Sequence, residues 1–164
     1  TFERSLISAN SPYDRYAYKG AKSALNNKAK KGYDLFFSDK TGCFNCHSGF
    51  NFTNYAFENN GLYNNYENEG RKRITGKNED YALFKVPTLR NVEVTAPYMH
   101  DGSINTLEEV IEHYNAGGSD FYNKNELIKP LGLTQKEKAN LLAFLKSLTD
   151  ECFLSNSKLK LNER

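Results

Sequence analysis

A single five-residue string, Cys43-Phe44-Asn45-Cys46-His47, restricts this chain more than any other feature. Two thiols separated by two residues can each add across one vinyl group of a porphyrin, and a histidine directly after the second is then held beneath the iron. C-x-x-C-H is accordingly the signature of covalent, c-type haem attachment. The spacing predicts one haem c per chain, bound through Cys43 and Cys46, with His47 as the proximal iron ligand. Two other chemistries use the same residue types. A structural zinc site needs four ligands, and only Cys152, His100 and His113 remain, singly placed. A thioredoxin-like redox pair follows a strand within a βαβ unit, for which the sequence offers no pattern. With three cysteines in all, there is no disulfide framework, and Cys152 reads as a free thiol.

At 164 residues the chain can bury one core around such a group, and its 38% hydrophobic and 26% charged residues have the balance of a globular domain. A net charge of +2, with acids and bases interleaved, gives no field that would select nucleic acid as a partner. There is no run of about 18 apolar residues, so no membrane span is expected. The opening TFERSLISANSPYDRY has neither the basic start nor the apolar core of a secretion signal, and the sequence is expected to begin mid-protein.

Residues 1–20 are polar and aromatic, interrupted by Pro12, and read as an inter-domain linker or extended arm. Residues 21–150 read as the haem domain, all-α and cytochrome c-like with long irregular loops, and 151–164 as a frayed polar tail. Ala21, Leu25, Ala29, Gly32, Leu35 and Phe36 fall at helical spacing, and Gly32 would let another helix come close. The Asn-, Gly- and Tyr-rich stretch 48–91 is too long for an ordinary connection and suits a loop that wraps a ligand. Thr106 and Glu109 form a capping box, Gly117 and Gly118 a stop, and Leu107, Val110, Ile111 and Tyr114 the apolar face of the helix between them. A last helix opens at Thr134 with Glu137 three residues on, carries Leu141, Leu142, Phe144, Leu145 and Leu148, and is expected to end near Asp150 and to pack on the helix around 25–36. No segment alternates like a strand.

Met99, His100, His113 and Tyr114 are all residue types that can take the sixth position on iron. Residue chemistry alone leaves the choice open. Met99 is the only thioether, and is equally readable as a packed residue; Tyr114 points from an apolar helix face, where a buried tyrosine with an ordinary hydrogen bond fits as well. His113 falls off that face towards solvent, and His100, beside Asp101, suits a supporting hydrogen-bonding group.

Taken together, GYDLFF, CFNCH, FKVPTLRNVEVTAPYMHDGSINTLEEVIEHYNAGG and LTQKEKANLLAFLKSL resemble, in order and over nearly the whole chain, the C-terminal half of the bacterial di-haem cytochrome c peroxidase and MauG family. The resemblance implies a periplasmic protein. It implies the half whose haem takes electrons from a small redox protein, while a partner haem in an N-terminal domain of the same protein meets hydrogen peroxide; this half alone would transfer electrons. Peroxidases of the family usually carry a methionine ligand in the helix after the HDG loop and MauG-type relatives a tyrosine, so the resemblance points to Tyr114 as distal ligand, with Met99 second. It also implies that Arg90 meets a haem propionate, that His100 belongs to the haem pocket, and that the backbone carbonyls of Thr95 and Pro97 help hold a calcium ion at the inter-domain boundary. The tryptophan that bridges the haems in MauG-type enzymes would lie in the other half, since this chain has none. A free-standing monohaem carrier and a haem-free interaction module are the competing readings.

Overall fold

The computed structural model describes residues 6–159. Its frame is a pair of helices, α2 (Asn27–Phe36) and α6 (Gln135–Lys146). Asn26 caps α2 through its side-chain oxygen, and Thr134 with Glu137 closes the expected capping box on α6. Helix α2 starts later than the apolar spacing suggests, because Asn26 caps it by accepting from Ala29 N–H and leaves Ala21 and Leu25 in a preceding turn. The two helices meet at Gly32, where a Cβ would lie 2.0 Å from the Asn140 carbonyl oxygen and 2.8 Å from the Phe144 Cβ. No side chain larger than hydrogen fits at that crossing. Phe36, Phe52 and Phe144 pack around it almost fully buried, with ring centroids 5.0 to 6.3 Å apart in tilted and edge-on pairs.

Helix α5 (Leu107–Ala116) buries Leu107 and Ile111 and stops where the glycines predict. Gly117 takes φ 87°, with Gly117 N–H donating to Tyr114 O and Gly118 N–H to His113 O. Three shorter helices precede it: α1 (Pro12–Tyr18), α3 (Cys43–Cys46) and α4 (Lys72–Thr75); α7 (Glu151–Leu154) follows α6.

Two expectations are corrected. Residues 12–18 do not form an extended arm: Ser11 and Asp14 make a capping box, Pro12 takes the first helical position, and Tyr13 is buried, its ring 5.8 Å from that of Phe144. Two turns are too short to display a period, and the box uses Asp where Glu or Gln is the usual signal. Tyr13 N–H donates to Ser147 O, and Asn10 N–H to Asp150 Oδ2, so the segment is docked on the end of α6. Nor is the fold all-α. It is helix-rich with a small antiparallel ladder, β1 (Phe57–Glu58) on β2 (Phe84–Lys85), pairing Phe57 with Lys85 and Glu58 with Phe84. Strands of two residues carry no readable alternation.

The expected tail is helical as far as Leu154, capped by Asp150, whose carboxylate accepts from Phe153 N–H; residues 160–164 lie outside the described residues, as do 1–5. Among the described residues, no helix is long and apolar enough to cross a membrane.

Candidate functional site

The site is a cavity of about 440 Å³ between α2, α5, α6 and the wrapped stretch 48–91. Phe36, Val92, Leu107, Ile111, Leu141 and Leu145 supply apolar lining. Cys43, Cys46 and His47 also line it. Gly42, in the left-handed region at φ 59°, turns the chain into the single turn of α3, which brings both thiols and the histidine to one cavity. Burial pushes the thiols of Cys43 and Cys46 up. Among the described residues, no three His, Cys, Asp or Glu side chains converge as a metal cluster, which leaves the zinc alternative without its remaining ligands.

His47 is already oriented. Its Nδ1 lies 3.0 Å from the carbonyl oxygen of Phe52. A carbonyl only accepts, so Nδ1 carries the proton and Nε2 keeps the lone pair that a metal would take. Burial lowers the His47 pKa, against the raising effect of its backbone hydrogen bonds, and favours that neutral ring. Residue type, protonation and lining thus fit a haem joined through Cys43 and Cys46 and ligated by His47.

Met99 and Tyr114 line the same cavity, and one side chain touches both: Asn60 Nδ2 lies 3.3 Å from Met99 Sδ and 3.4 Å from Tyr114 Oη. Burial raises the Tyr114 pKa against the lowering effect of the Asn60 amide. His113 departs from the solvent-facing expectation. It is half-buried, and its Nε2 lies 3.0 Å from the Asn60 carbonyl oxygen, because the wrapped stretch covers a flank of α5 that helical periodicity leaves bare. His100 lines the cavity stacked on Phe84, ring centroids 3.7 Å apart; burial lowers its pKa, opposed by neighbouring Asp101.

Arg90 stands elsewhere. Its guanidinium is buried against Asp14, with Nη1 and Nη2 each 3.0 Å from a carboxylate oxygen, Nε donating to Phe50 O at 2.7 Å, and the Phe50 ring 4.0 Å away. This ion pair fixes α1 to the turn after the haem string. The VPTLRN motif singles out Arg90, whereas Asp14 lies in a segment whose sequence reads as an arm. Thr95 and Pro97 are exposed residues at the cavity rim. Asn60 and the Phe52 carbonyl carry no sequence signal at all, since one is an asparagine among many and the other a backbone atom.

Two thiols and an oriented imidazole at one apolar cavity are the outfit of a c-type haem protein. No family model matches the chain. It is 38% identical over 152 residues to the methylamine utilization protein MauG of Methylorubrum extorquens, and 36% identical over 155 residues to the cytochrome c551 peroxidase of Nitrosomonas europaea; each alignment covers 92% of this chain and 42% of the relative. Among solved structures, a MauG-like protein associated with microbial copper homeostasis superposes with a TM-score of 0.87 at 37% identity, over 93% of this chain and 52% of that one. The diheme peroxidase BthA from Burkholderia thailandensis shares the fold, with a TM-score of 0.70 at 21% identity. The chain belongs to the MauG and bacterial cytochrome c peroxidase family, and it spans less than half the length of the curated relatives it matches.

Proposed function

We propose that this chain is the electron-entry half of a periplasmic di-haem peroxidase or MauG-like oxidase, holding one haem c and exchanging electrons between a small redox protein and a partner haem domain that meets hydrogen peroxide. The observation that carries the reading is the convergence of Cys43, Cys46, His47, Met99 and Tyr114 on one apolar cavity. When bound, the haem supplies a reversible one-electron site. The protein's part is to exclude water with its apolar lining, to hold His47 neutral through Phe52 O, and to present the sixth ligand.

That ligand is Tyr114. A phenolate oxygen donates charge and favours ferric iron, whereas a thioether favours ferrous iron, so a tyrosine here sets a low potential. In this reading the docked segment 6–20 leads towards the partner domain, and the carbonyls of Thr95 and Pro97 contribute to a calcium site completed by that domain. Tyr114→Phe is expected to leave haem covalently attached and to change the ferric absorption spectrum; an unchanged spectrum would remove Tyr114 from the ligand set.

A further inference from the structure

Among the described residues, the Asn60 side chain lies within hydrogen-bond distance of both Met99 Sδ and Tyr114 Oη, and the turn that carries it is held from several sides. Its carbonyl faces His113 Nε2 at 3.0 Å. On one side Asn59, 1% exposed, gives its side-chain N–H to Ala82 O and accepts from Gly61 N–H and Tyr66 Oη. On the other, Gly61 O accepts from Ser119 N–H, just beyond α5. This approach depends on Gly118, where a Cβ would lie 2.7 Å from Asn60 O. The turn is therefore fastened to the C-terminal end of the helix that carries Tyr114.

A thioether sulfur has no hydrogen to give, so the Asn60 group facing Met99 must be its amide nitrogen, which has two hydrogens. The same nitrogen lies within hydrogen-bond distance of the sulfur and of the phenol oxygen. The same two contacts act in opposite ways on the two atoms as iron ligands. A phenolate has lone pairs to spare and is stabilised by an N–H donor while it binds metal. A thioether is a weak acceptor, and a hydrogen bond along with the fixed position it imposes competes with metal for its lone pairs.

We infer that Asn60 is the positioning residue that decides the sixth ligand: its amide holds Tyr114 oxygen as the ligand and keeps Met99 sulfur, the only thioether of the chain, off the iron. This rests on the reading of Tyr114 as ligand. Met99 is then a reserve ligand in the same cavity, and removing the donor converts a tyrosine-ligated haem into a methionine-ligated one.

The test uses the full chain loaded with haem by the cytochrome c maturation machinery, and reads the ferric absorption spectrum and the reduction midpoint rather than turnover. The wild-type chain is expected to lack the weak far-red charge-transfer band of sulfur on iron. Asn60→Leu, similar in size and without a donor, is expected to gain it and to move to a higher midpoint; the double variant Asn60→Leu/Met99→Leu is expected to lose it again, which assigns the band to Met99. Should the leucine variant fail to fold, Asn60→Asp keeps the shape while replacing the donor with an acceptor, and the same gain is expected. The proposal is overturned if whichever of these variants folds retains the wild-type spectrum and midpoint. Tyr114→Phe separates the two failures. If it alters the spectrum while the Asn60 variants do not, Tyr114 stands and Asn60 falls; if it leaves the spectrum unchanged, or if the wild-type chain already shows the sulfur band, the tyrosine reading falls and takes this inference with it.

Discussion

The two sides of the cavity are built by different physics. The wall made by α2 and α6 is held by close packing: Ala29, Gly32 and Phe36 of one helix meet Asn140, Leu141, Phe144 and Leu145 of the other. The wrapped stretch 48–91 buries few large apolar groups, chiefly Phe52, Tyr66 and Val86. It is held by side chains bonded to distant backbone, such as Thr53 Oγ1 to Val86 O, Asn59 Nδ2 to Ala82 O and Asn123 Nδ2 to Tyr81 O. Packing tolerates a change that keeps volume, whereas a buried polar hub fails whenever a partner is lost. The helical wall can therefore act as scaffold, while the loop wall places individual polar groups where the chemistry needs them.

The ion pair between Asp14 and Arg90 ties the two together, and breaking it is the largest expected effect. Both side chains are at least nine-tenths buried, and Asp14→Ala strands the guanidinium without a counter-charge, at a cost of about 3–5 kcal/mol. Chemical denaturation of the two proteins would measure it. The pH dependence has a definite sign. Burial works to raise the Asp14 pKa, but hydrogen bonds from Arg90 and Ser11 outweigh it and hold the carboxyl below its usual range. A carboxylate depressed in the folded state adds stability that is fully present above its unfolded value, about 4, and is lost as the pH falls through the lowered folded value. The melting temperature of the wild-type chain is expected to drop in acid, and that of Asp14→Asn to drop less steeply over the same range; parallel profiles would show that the pair carries none of the acid dependence.

A smaller loss tests the loop wall by itself. Asn59→Leu keeps bulk but leaves Ala82 O, Gly61 N–H and Tyr66 Oη without their partner, at about 2–3 kcal/mol by denaturant titration. A loss below about 0.5 kcal/mol, the size of an ordinary surface change, would mean that water substitutes freely and the hub is no hub. The same contrast explains what the sequence discloses. Helical spacing, two capping boxes and a glycine stop make α5 and α6 legible, and Gly32 forecasts the close crossing, because those signals are local. The string 43–47 is legible because covalent chemistry sets its spacing. Asn59, Asn60 and Asp14 are not, since the bonds that give them their place, to Ala82 O, to Met99 Sδ and Tyr114 Oη, and to Arg90, reach far along the chain and leave no local pattern; the burial of His113 and the capture of Arg90 by Asp14 follow from the same long-range contacts.

The smallest effect separates stability from coordination within α5. Thr106 caps this helix with its side-chain oxygen on Glu109 N–H at 3.2 Å, and Glu109 returns the bond to Thr106 N–H at 3.0 Å. Removing a cap costs about 1 kcal/mol, so Thr106→Ala should lower stability by that amount. Tyr114, however, stands two turns on, beyond the reach of a first-turn cap, beside an end fixed by Gly117 and Gly118 and by the contact of His113 with Asn60 O. Thr106→Ala is therefore expected to shift the denaturation midpoint while leaving the ferric spectrum of the haem-loaded chain unchanged. A changed spectrum would mean that Tyr114 is positioned along the whole length of α5, and that the loop wall shares this task with the helix instead of holding it alone.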